Sequence, residues 1–313
     1  MRRQIATLVM LLLAGLMMSC ASVGKGAKAT VTECPERMFW RIDGTDRKGN
    51  PSTVYVQGSF HLGDGKMYPL ADAVVKAWEN ADRLVAEVSG DDFVALQSDI
   101  MEEMAESYKR AGGRKITDGL STTQRNTLVS FLDKDVMEQL AQFEPWITTY
   151  SISAALYMGS GLSTEYGLDS VLLAAASEAG RKVEGLDTLQ TQMDILTYGS
   201  YDDQMDMLRD LLDELKDPSE EIADAKAMYD SYLKDDRASF AKLFQEDMED
   251  DEDKHQFYEN YYKMVITDRN KDWAKDIAGY LREGGTTFIF AGAGHWVGND
   301  SVFAQLRKIG VIE

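Results

Sequence analysis

The sequence predicts a mixed α/β fold, in which a central mixed sheet with β-α-β units is flanked by helices and joined to a large helical portion. Two β-rich runs around the turn-rich "DGTDRKGNPS" predict a hairpin. The second run ends at Gly58. A helical pattern and the apolar run 83–88 follow it, which predicts a β-α-β unit with parallel strands. Residues 91–161 and 189–282 have largely helical patterns.

The first 19 residues have the features of a secretory signal peptide. Arg2 and Arg3 precede an apolar run of 14 residues, "IATLVMLLLAGLMM", which is shorter than the ~20 residues that a membrane-spanning helix needs. Ser19 and Cys20 resemble a bacterial lipobox, which predicts that residues 1–19 are removed and that Cys20 is lipidated. An ordinary secretory signal is the alternative. Both interpretations predict a protein of the cell envelope, in the periplasm or at the cell surface.

The mature chain is strongly acidic. Without the two arginines of the leader it carries 31 basic and 53 acidic residues, a net charge of −22. This charge disfavours nucleic acid and anionic lipid as partners, so membrane attachment depends on the lipid anchor alone. Cys34 is the only cysteine besides Cys20, so an acylated Cys20 leaves no intramolecular disulfide. Residues 20–36 are predicted to tether the anchor to one domain spanning 37–313, whose oligomeric state is unknown.

Local patterns predict the elements of this domain in chain order. Pro69 opens an amphipathic helix, and the strand "RLVAEV" after it carries Glu87. Ser121 and Gln124 form a capping box at the start of a later helix. "YGLDSVLLAAASEAG" is a helix closed by Gly180, and "RKVEGLD" is a strand. At the end of the chain, "TTFIFAG" is a buried strand and "SVFAQLRKIG" is a closing helix.

Two of the three histidines stand in the same Gly-x-x-His frame, Gly58 to His61 and Gly292 to His295. Each motif leaves the carboxyl end of a predicted strand, where parallel α/β sheets carry their ligand crevice. Glu87 lies near a strand end too, so the three side chains can converge. Two imidazoles and a carboxylate suit a divalent ion such as Mn, Fe, Co or Zn, with Glu87 as a ligand or as the general base. The glycines are predicted to let the backbone turn sharply.

Several other interpretations compete with the metal site. Each histidine could instead cap its own loop by bonding backbone carbonyls. A dinucleotide site is excluded, because the third glycine of "GAGHWVG", Gly298, is one place late and only 15 residues follow it. The sequence has no His-Glu-x-x-His helix, no Gly-x-Ser-x-Gly elbow and no Walker A loop, which removes zincins, α/β-hydrolases and P-loop enzymes.

Three blocks of the chain resemble the TraB/GumN family, whose animal relatives are the Tiki proteins. They are "STVYVQGSFHLGDGKMYPLADAVVKAWENADRLVAEV", "YGLDSVLLAAASEAGRKVEGLDTLQTQ" and "DRNKDWAKDIAGYLREGGTTFIFAGAGHWVGNDSVFAQLRKIG". The resemblance covers residues 37 to 313 and includes the family's arginine, here Arg269. The chain departs from it at Asp187, where the family usually has a glutamate after Gly-Leu.

The resemblance implies a fold related to the erythromycin-esterase and ChaN-like proteins. It also implies a Mn- or Co-dependent hydrolase, since Tiki proteins are proteases that clip a secreted signalling protein; Zn is possible. We therefore predict an exported metal-dependent peptidase acting on a peptide or protein substrate. Its metal ligands are His61, His295 and Glu87. Arg269 would pair with a carboxylate or stabilise an oxyanion, or form only a helix-surface salt bridge, and Asp187 is a possible accessory acid.

Two other functions stay open beside the peptidase. The first is a non-catalytic protein that binds or sequesters a peptide and so modulates peptide signalling, as family members that shut down pheromone signalling suggest. The second is a haem- or metal-binding envelope protein, by analogy with ChaN-like folds. For a peptide substrate, the acidic surface favours a neutral or basic peptide over an anionic one.

Overall fold

A six-stranded mixed sheet lies at the centre of the molecule, and helices pack around it. The computed structural model describes residues 28–245 and 255–313, so the predicted signal peptide and Cys20 lie outside the described residues. The strand order is β1-β2-β3-β6-β4-β5, and the predicted mixed α/β class is confirmed. The strands are β1 Thr30–Glu33, β2 Phe39–Thr45, β3 Pro51–Ser59, β4 Arg83–Ala86, β5 Val183–Gly185 and β6 Gly285–Gly292.

The predicted hairpin consists of β2 and β3, which pair antiparallel with Phe39 opposite Gln57. Its turn is built on Asp46. The Oδ1 atom of Asp46 accepts the backbone N–H groups of Lys48 and Asn50, each at 2.8 Å. An aspartate that bonds its own following backbone is a common way to hold such a turn, and here it fixes the register of the two strands.

The structure differs from the sequence prediction at the end of the tether. Within residues 20–36, Thr30–Glu33 forms β1 and pairs antiparallel with β2, so these residues belong to the sheet. The N–H of Ala29 donates to the carbonyl of Val311 at 2.7 Å, which ties the segment to the far end of the chain. The β-branched residues of β1 favour a strand, and Val31 packs against the core.

The predicted β-α-β unit consists of β3, helix α1 (Asp72–Glu79) and β4. The last strand of the chain, β6, lies between β3 and β4 and pairs parallel with both, so β3 and β4 are parallel to each other. Helix α1 begins three residues later than the predicted start at Pro69, because the backbone at Tyr68 and Ala71 is still extended.

Helices make up the rest of the described chain, which confirms the large helical portion. The capping box at Ser121 and Gln124 is present, and Gly180 follows its helix with φ +63°, as predicted. The α-helices after α1 are α2 Gly90–Ala111, α3 Thr122–Phe131, α4 Lys134–Leu140, α5 Pro145–Gly159, α6 Leu168–Glu178, α7 Leu189–Leu196, α8 Tyr201–Glu214, α9 Pro218–Leu233, α10 Arg237–Gln245, α11 His255–Tyr262, α12 Arg269–Glu283 and α13 Val302–Lys308.

The main core lies on both faces of β3, β4 and β6, whose carboxyl-terminal residues are buried without alternation. This pattern is typical of parallel strands covered by helices. A second apolar cluster lies among the helices and includes Trp146, Tyr261 and Val265. In the part of the chain that the structure describes, no helix has both the length and the apolar character that crossing a bilayer requires.

Candidate functional site

Four neighbouring parallel strands bring the predicted residues to one edge of the sheet. The ends of these strands are level, because Ser59 pairs with Gly292 across β3 and β6, and Ala86 pairs with Phe290 across β4 and β6. A residue that follows any of these strands therefore enters the same region. The predicted residues delivered in this way are His61 after β3, Glu87 after β4, Asp187 after β5 and His295 after β6.

Three of these side chains surround Gly292. A Cβ atom placed on Gly292 would lie 3.4 Å from Oε2 of Glu87, 3.5 Å from Cδ2 of His295 and 3.6 Å from Nε2 of His61. The two histidines and the glutamate therefore face a common space, although more than 200 residues of chain separate the first from the last. The predicted convergence is present in the structure.

His61 is held by the segment that opens α6. The N–H of Leu168 donates to the carbonyl of Phe60 at 3.0 Å, and a Cβ on Gly167 would collide with the carbonyl oxygen of His61. Nδ1 of His61 lies 2.9 Å from Oδ2 of Asp169, the distance of an ion pair, although its alignment falls short of a hydrogen bond. The His61 side chain is 16% exposed.

His295 lies in the short 3₁₀ turn Ala293–Trp296 and is 0% exposed. Its Nδ1 atom is 2.6 Å from Oδ1 of Asn270 on α12. The ring also packs against Trp273, with 4.3 Å between the ring centroids. Both neighbours come from the first turns of α12, so this helix determines the orientation of the second motif histidine.

Both imidazoles present a free Nε2 atom to the site. These two atoms are buried and have no hydrogen-bond partner, whereas each Nδ1 atom faces a side-chain oxygen. The loop-capping interpretation is therefore wrong, because neither ring bonds a backbone carbonyl. Histidines that bind metals usually have this arrangement, with one ring nitrogen held by an oxygen and the other left free.

A buried arginine joins the two carboxylates of the site. Arg269 is 4% exposed and donates from Nε to Asp187 at 2.8 Å, from Nη2 to Glu87, and from Nη1 to the carbonyl of Val265 at 2.9 Å. The helix-surface salt bridge is therefore wrong for Arg269. Asp187 also accepts from Nε1 of Trp273 at 2.5 Å. A π-helical segment, Lys263–Asp268, precedes Arg269, and such segments are frequent at functional sites.

The charges in the site follow from this pairing. Burial raises the pKa of Glu87, but Arg269, His295 and His61 outweigh it, so the pKa of Glu87 is lowered and the group is ionised. Burial raises the pKa of Asp187 to about 7; Arg269 opposes this shift, while the charge of Glu87 adds to it. Glu87 is thus the firmly charged member of the pair.

The two histidines have very different pKa values. Burial lowers the pKa of His61, but Asp169 and then Glu87 outweigh it and raise that pKa to about 9. Burial, with a smaller contribution from Arg269, lowers the pKa of His295 to about 3. Without a bound ion, His61 is therefore cationic and His295 neutral at pH 7.

The motif glycines have a different role from the predicted one. Neither adopts a left-handed backbone; Gly292 has φ −46° and ψ 128°. Gly58 is required for close packing, since a Cβ there would lie 3.1 Å from Cβ of Met38 and 3.2 Å from Cα of Ala293. Gly292 leaves open the space between the three site residues. The chain continues as β3 through Gly58, so it does not turn there, whereas at Gly292 it passes from β6 into the 3₁₀ turn without a left-handed backbone. What each position needs is room.

The site residues fit a metal ion in part. Among residues 28–245 and 255–313, no group of three or more His, Cys, Asp or Glu side chains is placed to hold an ion as it stands. The two buried, unpartnered Nε2 atoms are suitable donors. Glu87 is committed elsewhere, with Oε1 bonded to Arg269 and Oε2 accepting the N–H of Gly292 at 3.1 Å.

Sequence reasoning missed Asp169, Asn270 and Trp273. Asp169 and Asn270 each stand in the first turn of a helix, where polar residues are common for reasons unrelated to a site. The one signal available was position: Asn270 directly follows the family arginine, and Asp169 lies in the block "YGLDSVLL".

The comparisons with known proteins agree with the motifs. The chain is 27% identical over 310 residues to an uncharacterized protein of Treponema pallidum (strain Nichols), and the match covers 98% of this chain and 91% of that protein. No solved structure matches the chain. The model of the TraB/PrgY/gumN family matches residues 38–312. The predicted resemblance is confirmed, and the chain belongs to the TraB/PrgY/gumN family.

Proposed function

We propose that this protein is a metal-dependent hydrolase that cleaves peptide or protein substrates. The observation that carries the proposal is the pair of buried Nε2 atoms, one from each Gly-x-x-His motif, which have no hydrogen-bond partner and belong to rings that border the same space as Glu87. Leaving two such atoms unpartnered costs folding free energy, and a bound ion would offset that cost. Family membership supports the same conclusion.

His61 and His295 would hold the ion through Nε2, with Glu87 as the third ligand. Mn or Co is favoured by the resemblance to the Tiki proteins, and Zn is possible. When bound, such an ion supplies Lewis acidity toward a carbonyl and lowers the pKa of water. Coordination requires His61 to lose its proton, so binding should be stronger at alkaline pH than at neutral pH.

Arg269 has a structural place in this site. Its Nε, Nη1 and Nη2 atoms each donate to an oxygen of the protein, so it serves to hold Glu87 ionised and oriented. An oxyanion role would require one of these bonds to break. Of the two roles considered for Arg269, the contacts favour pairing with carboxylates.

The substrate would approach from the His61 side. The His61 side chain is 16% exposed, whereas His295 is 0% exposed. The chain carries 53 acidic and 33 basic residues, which favours the approach of a neutral or basic peptide.

A peptide-binding protein without catalysis is the second candidate. The commitment of both Glu87 oxygens, to Arg269 and to the N–H of Gly292, favours it, because a carboxylate held in this way is less free to bind an ion or take up a proton. A haem- or metal-carrying envelope protein is the third candidate, and it requires a tightly bound cofactor without turnover.

A peptide-cleavage assay separates these candidates. Residues 21–313 are loaded with Mn, Co or Zn and incubated with neutral and basic peptides, and the fragments are identified by mass spectrometry. We expect fragments from the wild type and none from His61→Ala or His295→Ala, while His255→Ala, the histidine outside both motifs, cleaves normally. Peptides that bind and return intact would support the binding protein, and cleavage by both motif variants would contradict the proposed site.

We also propose that the protein is an exported lipoprotein of the cell envelope, anchored through Cys20. The basic leader, its apolar run and the Ser19–Cys20 pair support this. Metabolic labelling with an alkyne fatty acid should mark the wild type and Cys34→Ala but not Cys20→Ala. Labelling of Cys20→Ala would contradict the anchor.

A further inference from the structure

The side-chain amide of Asn270 bridges His295 and the loop that precedes α13. Nδ2 of Asn270 donates to the backbone carbonyl of Asp300 at 2.7 Å, and Oδ1 lies 2.6 Å from Nδ1 of His295. A carbonyl oxygen can only accept, so the contact with Asp300 determines which end of the amide is the nitrogen. The oxygen of Asn270 must therefore face the imidazole.

The Asp300 carbonyl is itself held in place by α13. Nε2 of Gln305 donates to the same oxygen at 3.4 Å, and the Ser301 side chain caps the helix by accepting the N–H of Ala304 at 3.3 Å. Asn270 is 0% exposed, so water does not compete for either end of its amide. The orientation of the amide is thus fixed from both sides.

An amide oxygen accepts a hydrogen bond and cannot donate one. The short contact with His295 therefore places the ring hydrogen on Nδ1. In the neutral ring the lone pair is then on Nε2, which is buried and has no partner. Cδ2, the ring carbon bonded to Nε2, lies 3.5 Å from a Cβ placed on Gly292, in the space that Glu87 and His61 also border. Nε2 is the atom a metal ion would need.

We propose that Asn270, oriented by the Asp300 carbonyl, is a positioning residue that locks His295 in its Nδ1-protonated tautomer and so directs the Nε2 lone pair into the site. Its purpose rests on the proposed metal-dependent function. The tautomer itself is a property of the metal-free protein and can be measured without any ion.

The other motif has a charged carboxylate in place of the amide. Nδ1 of His61 faces the carboxylate of Asp169, which is not aligned as a hydrogen bond and which also stabilises the doubly protonated ring. An amide has no charge with which to do so. The two motifs are thus supported by different chemistry. Both oxygens can accept from Nδ1, but only the neutral amide of Asn270 does so without also favouring the doubly protonated ring.

The test is ¹⁵N NMR of the imidazole rings in the metal-free mature chain, labelled at histidine and kept at mildly alkaline pH. The chain has only three histidines, so His295 is assigned by its loss in His295→Ala. We expect Nδ1 of His295 to give a protonated, pyrrole-type signal and Nε2 a pyridine-type signal. A His295 ring protonated on Nε2 in the wild type would overturn the proposal, whatever the variants do.

Variants at Asn270 test its role directly. Asn270→Ala should release the ring from the Nδ1-protonated form. Asn270→Asp should keep that form, since a carboxylate also accepts from Nδ1, although it loses the bond to the Asp300 carbonyl. Asn260→Ala, which removes an exposed asparagine from α11, is the matched control and should leave His295 unchanged. An unchanged tautomer in a folded Asn270→Ala protein would contradict the positioning role.

Metal titration of the same proteins separates this inference from the proposed function. If both are right, Asn270→Ala should weaken Co binding about 10- to 100-fold, the usual loss when the oxygen supporting a ligand histidine is removed. If the wild type has the expected tautomer, loses it in Asn270→Ala, and binds no metal, the positioning role stands and the proposed function fails.

Discussion

The two Gly-x-x-His halves of the site have the same local sequence and opposite environments. Both follow neighbouring parallel strands, and Ser59 and Gly292 at the strand ends pair with each other. The His61 side chain is 16% exposed and faces a carboxylate, and Asp169 with Glu87 raises its pKa to about 9 against the effect of burial. His295 is 0% exposed and faces an amide, and burial lowers its pKa to about 3.

This difference shows what a short motif specifies. The strand and the spacing place each imidazole at the edge of the sheet, and residues from other elements set its charge. The carboxylate for His61 comes from α6, and the amide for His295 comes from α12. A site with one cationic and one neutral histidine keeps one lone pair free, and the second becomes available only when His61 loses its proton.

The largest loss of stability should follow from removing Arg269, which pairs with both Glu87 and Asp187. Arg269→Met keeps much of the volume and removes the cation that pairs with two buried carboxylates. We expect the free energy of unfolding in urea to fall by about 3–5 kcal/mol at neutral pH. Lys275→Met, which breaks a surface pair with Asp272, should cost less than about 1 kcal/mol. Equal losses in both variants would contradict the buried ion pair.

The contributions of His61 and His295 to the stability of the fold should also change with pH in opposite directions. Since the pKa of His61 rises from 6.5 to about 9 on folding, its ion pair stabilises the fold fully below pH 6.5 and loses that contribution as the pH rises through about 9. Since the pKa of His295 falls from 6.5 to about 3, the unfolded chain gains a proton that the folded chain does not, so stability falls as the pH drops from 6.5 toward 3.

Urea unfolding of the wild type, His61→Ala and His295→Ala across pH measures both effects. The stability difference between wild type and His61→Ala should shrink above pH 6.5, and the difference between wild type and His295→Ala should change below pH 6.5. Each change should be on the order of a few kcal/mol. Two differences that vary with pH in the same window would show that the halves are not distinct.

Substitutions at the two motif glycines should have smaller effects on stability, and the two effects should differ. Gly58→Ala should cost about 1–3 kcal/mol of stability, because its Cβ would press against Met38 and Ala293 at 3.1 and 3.2 Å. Gly292→Ala places a Cβ at ordinary contact distances and should cost less than about 1 kcal/mol. Its methyl group would nevertheless fill the space between the site residues and weaken metal binding at least about tenfold. Gly292→Ala with unchanged metal affinity would contradict this placement of the site.

Much of the fold and the outline of the site follow from the sequence. The hairpin, the β-α-β unit and the edge carrying His61, Glu87 and His295 are all predicted by alternation, helical periodicity and strand ends. These signals are local, and the rule that parallel strands share a carboxyl edge extends them across the chain.

The remaining features depend on contacts that local patterns do not record. β1 is a strand because it pairs with β2, a tertiary contact, whereas the small and polar composition around it resembled a tether. Asp169 and Asn270 resemble ordinary residues of a first helical turn until the fold places them against the histidines. The packing role of Gly58 depends on the approach of Ala293, which lies more than 200 residues away.

The most direct test of the central claim is the metal content of residues 21–313. Residues 21–313 of the wild type, His61→Ala and His295→Ala are dialysed against Mn, Co and Zn in turn, and the bound metal is measured by mass spectrometry. The paired motifs predict about one ion per chain in the wild type and its loss in both variants, in keeping with a single site built by two histidines and a carboxylate. No bound metal, or the same amount in all three proteins, would contradict the claim that the two motifs form one metal site.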